Sequence, residues 1–508
     1  MDTPVTRRDF LKLAGAFPLS FAAPRFLNQL DLQGTPRNII VVVFDAFSGR
    51  NIPIYGYHRE TTPNLTRLAG RAVVYHNHYA GGNFTAPGTA SLLTGTLPWK
   101  HRAFHHGGRV DKAFLKRSLF AAFENFYRLA YSHNPMANGI IGQFKDSIDD
   151  FVPRSRLFLK DDSIIPTTLF ENDDDIATVS WLRAMKGRDE GFSYSLFLSP
   201  MLYALESLQD RKIAALQEQF PLGLPRVFTD SYYMLEDAVD WFGTRVNGLP
   251  NPFVCYLHFM PPHAPYKTHR EFFRRFRQDG WIPASKPLDL FYQNGNEERV
   301  RERRADYDEF VLYADREFGR LFDQLEGAGI LDNTWVVLTS DHGEMFERGI
   351  IGHKTPVLYE PVVHIPLMIF EPGRTQRLDI HTPTSAVDVL PTLLHVTGQK
   401  AIDWTEGTVM PPYADTYPED RSIYVLEARQ NRKYAPLSVA VAALIKGPYK
   451  LMRFFGYNEL QGEERVELYD LDNDPEELHN LLSTKKDTAS TLLNELKAKL
   501  AEVDQPYL

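Results

Sequence analysis

The segment that most constrains the fold runs Asn-Ile-Ile-Val-Val-Val-Phe from Asn38 to Phe44 and ends at Asp45. A β-branched, apolar strand with no polar alternate must be covered on both faces, as strands are in a parallel sheet under helices. Similar short runs recur at Leu129 to Ser132, Phe253 to Leu257, Trp335 to Thr339 and Leu367 to Phe370. Between them lie helix-like stretches at Asn64 to Gly70, Ser231 to Arg245 and Asp306 to Gly327. This alternation predicts an α/β sandwich with a mostly parallel central sheet. Ligands of such sheets sit beyond the carboxyl ends of the strands. Asp45 and the pair Asp341-His342 each follow a strand directly, so the fold brings them to one edge.

At 508 residues the chain exceeds one small core, and its character changes near Ser422. Val439 to Ile445 and Tyr449 to Phe455 read as a hairpin through Gly447-Pro448. Glu467 to Leu471 follows, then a helix, Thr488 to Val503, with Leu492, Leu493, Leu496 and Leu500 at helical spacing. The expected organisation is a leader and linker at 1–36, a catalytic α/β domain at 37–420 with an insertion at about 154–225, and a small antiparallel subdomain at 421–508. The leader holds Arg7-Arg8 before Phe10-Leu11-Lys12 and a short apolar stretch, which resembles a twin-arginine export signal and predicts an extracytoplasmic or periplasmic protein. That stretch is too short to span a bilayer, so no integral membrane segment is expected. A net charge of −9 argues against nucleic acid as a partner. The basic run Arg301, Arg303, Arg304 is interleaved with Glu297, Glu298 and Glu302 and reads as a solvated helix face. The lone cysteine, Cys255, lies in a strand-like run and reads as a small buried hydrophobe.

Taken in order, a set of motifs resembles the sulfatase family of the alkaline phosphatase superfamily, from about Asn38 to the end of the chain. They are Asn38 to Asp45, Tyr55-Gly-Tyr57 with Thr61 to Leu65, Ser91 to Gly95 with Pro98 and His101, and His258 with Pro262 to Tyr266. Thr339 to Glu344, Gly352-His-Lys354 before Tyr359-Glu360, Asp388 with Pro391 to Leu394, and Leu468 to Leu471 with Asp474-Pro475 and Asn480-Leu481 complete the series. The resemblance implies an alkaline-phosphatase-like α/β/α sandwich and an ester hydrolase. It implies one divalent metal ion on Asp45, Asp341 and His342, with Thr85 both the nucleophile and a further metal ligand. It also implies anion binding by His263 and Lys354, and proton donation by His353 or His101.

Two departures matter. The family's nucleophile is a Cys or Ser, converted to formylglycine, in a five-residue pattern ending in Arg; here the window reads Thr85-Ala-Pro-Gly-Thr89. Thr85 admits no formylglycine, and the Arg position has become Thr89. Beside Asp45, where the family places another acid, stands Ala46. Fewer carboxylates and a histidine suit manganese or zinc, with calcium and magnesium open. A threonine adduct owns a single oxygen and must be opened by attack at sulfur or phosphorus, which favours phosphoryl over sulfuryl chemistry. The expected activity is hydrolysis of a sulfate or phosphate ester of a small molecule, glycan or lipid. Head-group transfer of the phosphoethanolamine-transferase type and a catalytically decayed binding protein are the alternatives.

Overall fold

The structure, a computed structural model, describes residues 37–160, 198–227, 231–293, 296–418 and 420–508. The expected leader at 1–36 and residues 161–197 of the expected insertion lie outside them. The apolar runs become strands: β1 (Asn38–Asp45), β2 (Val73–Tyr75), β3 (Tyr127–Ser132), β4 (Asp150–Phe151), β5 (Phe253–Pro262), β6 (Thr334–Ser340), β7 (Leu367–Phe370) and β8 (Leu378–Ile380). They make one eight-stranded sheet in the order β8-β2-β7-β6-β1-β5-β3-β4. β1 runs parallel to β5 and β6, β5 to β3, and β3 to β4. β7 is the exception, antiparallel to β6 and β2.

Seven helices matter here: α1 (Pro63–Leu68), α2 (Thr85–Thr94), α3 (Pro135–Ile141), α4 (Leu235–Arg245), α5 (Glu297–Gly327), α6 (Val389–Val396) and α7 (Lys486–Asp504). Side chains alternate along β1, so Ile40, Val42 and Phe44 enter one core while Ile39, Val41 and Val43 enter the other. α1, α4 and α5 cover the first face; α2, α3 and α6 cover the second. This is the α/β/α sandwich expected from the strand runs. α5 starts earlier than its apolar spacing suggested, because the Asn296 side chain caps it by accepting from Arg299 N, with Glu297 and Glu298 in its first turn. Cys255 is buried in β5.

A second sheet is antiparallel: β9 (Ile423–Glu427), β10 (Ala440–Lys446), β11 (Tyr449–Phe455) and β12 (Arg465–Asp470), paired in that order. Leu444, Leu451 and Leu468 on one face pack with Leu492, Leu496 and Leu500 of α7. Val441, Ala443 and Met452 on the other face pack against Val362 and Val363. Lys450, fully buried on β11, reaches Glu360 and Glu477 at 2.9 Å each. Among the described residues no helix is long and apolar enough to cross a membrane.

Candidate active site

The carboxyl end of β1 is where the sheet stops being regular. Phe44 pairs with Phe259 but Asp45 with Pro262, a bulge that turns the strand end and aims the Asp45 carboxylate. Ala46 follows with φ 60°, left-handed and costing on the order of 1 kcal/mol for a non-glycine residue. Its carbonyl accepts from Tyr307 Oη at 2.7 Å and its N–H donates to Asp341 Oδ1 at 3.3 Å. Ala46 therefore serves through its backbone.

Asp45, Asp341 and His342 are all buried and each offers one ligand atom within 4.8 Å of the others. Asp45 Oδ1 and Asp341 Oδ2 have no hydrogen-bond partner. Two adjacent buried carboxylates with unpartnered oxygens are costly unless a cation joins them, so the residues fit a divalent ion. Burial, followed by the neighbouring Asp45, raises the Asp341 carboxyl. At Asp45 burial is outweighed by His263, His258 and His342, which hold its carboxyl well below the usual range. His342 donates from Nδ1 to Gly343 O at 2.9 Å, leaving Nε2 to face Asp45 Oδ1 at 3.5 Å and Asp341 Oδ2 at 3.7 Å. Burial would lower this imidazole, but Asp341 and Asp45 outweigh it and raise it to about 9. His258, a residue without an assigned role in the sequence, also belongs here: its Nε2 stands 3.3 Å from Asp45 Oδ2 and 3.6 Å from Asp341 Oδ2.

Thr85 is the first residue of α2, following extended Phe84. Its Oγ1 lies 3.4 Å from His342 Nε2. Close approach depends on Gly88, one turn on, where a Cβ would stand 2.1 Å from Asp341 O. Glycine there lets α2 press onto the Asp341 backbone. Thr89 is buried.

Asn134 was not among the residues singled out by sequence, yet it joins the centre together. Its Oδ1 caps α3, accepting from Met136 N at 2.6 Å and Ala137 N at 3.3 Å. Its Nδ2 is thereby turned inward, donating to Asp45 Oδ2 and lying 3.5 Å from Thr85 Oγ1.

Thr85 opens into a cavity of about 960 Å³ whose wall includes Asn134, His263, Glu344, His353 and Lys354. His353 Nδ1 meets Glu344 Oε2 at 3.0 Å, and its ring lies 4.2 Å from that of His342 and 5.0 Å from that of His263. Burial, then His342 and His263, lower His353, while burial pushes Glu344 up to about 7. His263 donates from Nδ1 to Ala264 O at 2.6 Å, and Lys354 stands exposed on the wall. His106, left out of the sequence set, also lines the cavity beside Phe84. His101 is the one candidate not brought to it. Its Nδ1 accepts from Ala103 N at 3.1 Å and its Nε2 meets Ser91 Oγ at 3.0 Å, so the ring is a fully buried brace against α2.

A family model described as Sulfatase matches residues 37–399, and one described as N-sulphoglucosamine sulphohydrolase, C-terminal, matches 353–506. The choline-sulfatase of Rhizobium meliloti (strain 1021) is 27% identical over 465 residues, covering 87% of this chain and 82% of that protein. Among solved structures, the phosphonate monoester hydrolase of Agrobacterium radiobacter superimposes with a TM-score of 0.62 at 19% identity, over 93% of this chain and 96% of that one. A protein solved with its substrate D-glucosamine-2-N,6-O-disulfate gives a TM-score of 0.62 at 17% identity, over 93% and 98%.

Proposed function

The chain belongs to the sulfatase family, which makes it an ester hydrolase, and from that premise we propose that it cleaves sulfate or phosphate esters with the unmodified Thr85 as nucleophile. The observation that carries this is the position of Thr85 Oγ1, 3.4 Å from His342 Nε2 at the mouth of a buried carboxylate pair with unpartnered oxygens. Threonine has a methyl group on Cβ, so its oxidation gives a ketone and no aldehyde. The geminal-diol route of formylglycine is therefore closed.

Asp45, Asp341 and His342 would hold the divalent ion, which when bound neutralises charge on the transferred group and lowers the pKa of a neighbouring hydroxyl. The chain's own groups do the rest. Thr85 Oγ1, its hydroxyl proton already released to solvent, attacks in line as the alkoxide, and its bond to sulfur or phosphorus forms as the ester bond breaks. The proton that the departing oxygen needs is held by the Glu344 carboxyl, raised to about 7, and is relayed through His353, which its surroundings keep neutral. His263, Lys354, the Asn134 amide and the first N–H groups of α2 face the negative oxygens of the group in transit. Water then attacks the same centre, returns its proton to His353 and releases Thr85 Oγ1 in its starting state. Because both steps occur at the central atom, phosphoryl esters suit this site at least as well as sulfuryl ones. The twin-arginine segment supports delivery outside the cytoplasm.

The test is rapid quenching during turnover of an aryl sulfate and of an aryl phosphodiester, each with calcium, magnesium, manganese or zinc. The expected result is a sulfo or phospho adduct on the peptide holding Thr85. An adduct on any other residue would refute the assignment.

A further inference from the structure

A second cavity of about 660 Å³ opens beside the first, and Pro265, Tyr266, Arg299 and Arg303 belong to the walls of both. Arg299 and Arg303 are four residues apart on α5, so they share a helix face. The annex adds Arg226, Lys267 and Arg277, so that five cationic side chains meet three acids, Glu298, Glu302 and Asp306. Two of those acids are already engaged. Arg277 reaches Asp306 at 2.6 Å and Glu302 at 3.5 Å, and Arg303 reaches Asp306 at 3.5 Å. Among the described residues Arg226, Lys267 and Arg299 form no ion pair, and the Lys267 ammonium donates to Leu222 O. The crowding shows in Lys267, which burial and then Arg226 and Arg303 lower from its ordinary value. Like charges gathered in a half-enclosed recess raise the free energy of the empty protein and attract an anion.

We propose that this annex is a second anion subsite, rests on the hydrolase reading above, and holds a further sulfate, carboxylate or phosphate of the same substrate. Thr85 faces the ester to be cut, Pro265 and Tyr266 lie along the uncharged body between, and Arg226, Lys267, Arg299 and Arg303 take the second charge. The preferred substrate is then a molecule with two anionic groups on neighbouring units, and a single sulfate or phosphate is a poor representative of it. In the run read as a solvated face, Arg301 and Arg303 are exposed, and Arg303 also lines both recesses.

The experiment compares a monosulfated disaccharide with its counterpart carrying a second sulfate on the other ring. Steady-state kinetics are measured for wild type, Arg226→Gln, and Arg226→Gln with Lys267→Gln. Both residues line the annex alone. KM for the disulfated compound is expected to rise about tenfold, with its kcat and both constants of the monosulfated compound within about twofold. Equal losses on both substrates, or no change on either, would overturn the subsite. Calorimetric titration of cation-loaded Thr85→Ala protein with the same two compounds separates this from the catalytic reading. Tighter binding of the disulfated compound that disappears with Arg226→Gln supports the subsite even if another residue proves to be the nucleophile. Equal affinity for the two compounds overturns it even if Thr85 is confirmed.

Discussion

Asn134 links three parts of the centre, since one end of its amide starts α3 while the other touches Asp45 and Thr85. Replacing it with serine keeps a residue that caps helices well and removes only the inward amide. We expect Asn134→Ser to lower kcat by ~10²-fold, the usual cost of one preorganised donor, with Tm nearly unchanged. Paired kinetics and thermal melts check this; a fall in Tm with kcat retained would mean that the amide is merely structural. The same residue shows where sequence reading stops. Asp45 and Asp341-His342 were legible because each ends an apolar strand, and strand ends converge in this kind of sheet. Asn134 before Pro135 announces only a helix start. Its second role comes from the convergence of the ends of β3 and β1, which flank β5 in the sheet, across 89 residues of chain, and no local pattern records it. Glu344 stood in a quoted motif without a role, and its place under His353 emerges only in three dimensions. His101 differs from the other candidates: its ring braces Ser91 of α2 and is not part of the cavity wall.

At the scale of elements, β1 and α5 were readable for different reasons. The unbroken apolar run of β1 required cover on both faces, and the two cores receive its alternate side chains. The apolar spacing of α5 marked its buried half, whereas its first turns, including Arg299 and Arg303, carry no apolar stripe and were legible only as charge. α5 also buries carboxylates. Glu309 accepts from Phe276 N at 3.3 Å, its other oxygen is unpartnered, and burial raises it from 4.5 to about 7. The folded protein therefore holds this proton more tightly than the unfolded chain. Stability from the protonated group is full below about 4.5 and is lost as pH rises through about 7. Glu309→Gln should flatten that loss, gaining on wild type between these pH values by at most ~1.4 kcal/mol per pH unit. Urea unfolding of both proteins at acid, neutral and mildly alkaline pH decides it, and parallel profiles would show that Glu309 is not the group responsible.

Over the whole molecule, the antiparallel sheet is tied to the segment ahead of β7 by the buried Lys450, Glu360 and Glu477 group. Lys450→Ala leaves two buried carboxylates without their cation and should cost ~3–5 kcal/mol, read as a lower urea midpoint. Unfolding at an unchanged midpoint would mean that solvent reaches the acids. The carboxylate pair of Asp45 and Asp341 makes a complementary prediction. A divalent ion at a hundred times its dissociation constant should stabilise the protein by about 2.7 kcal/mol, and Asp45→Ala should abolish that gain in Tm. If the ion stabilises both proteins equally, it binds elsewhere. The most direct measurement is kcat/KM of cation-loaded Thr85→Ala against wild type on a single ester, with metal content determined for both. Loss of at least ~10³-fold at equal metal content is the predicted result, and activity within about tenfold of wild type would contradict a threonine nucleophile.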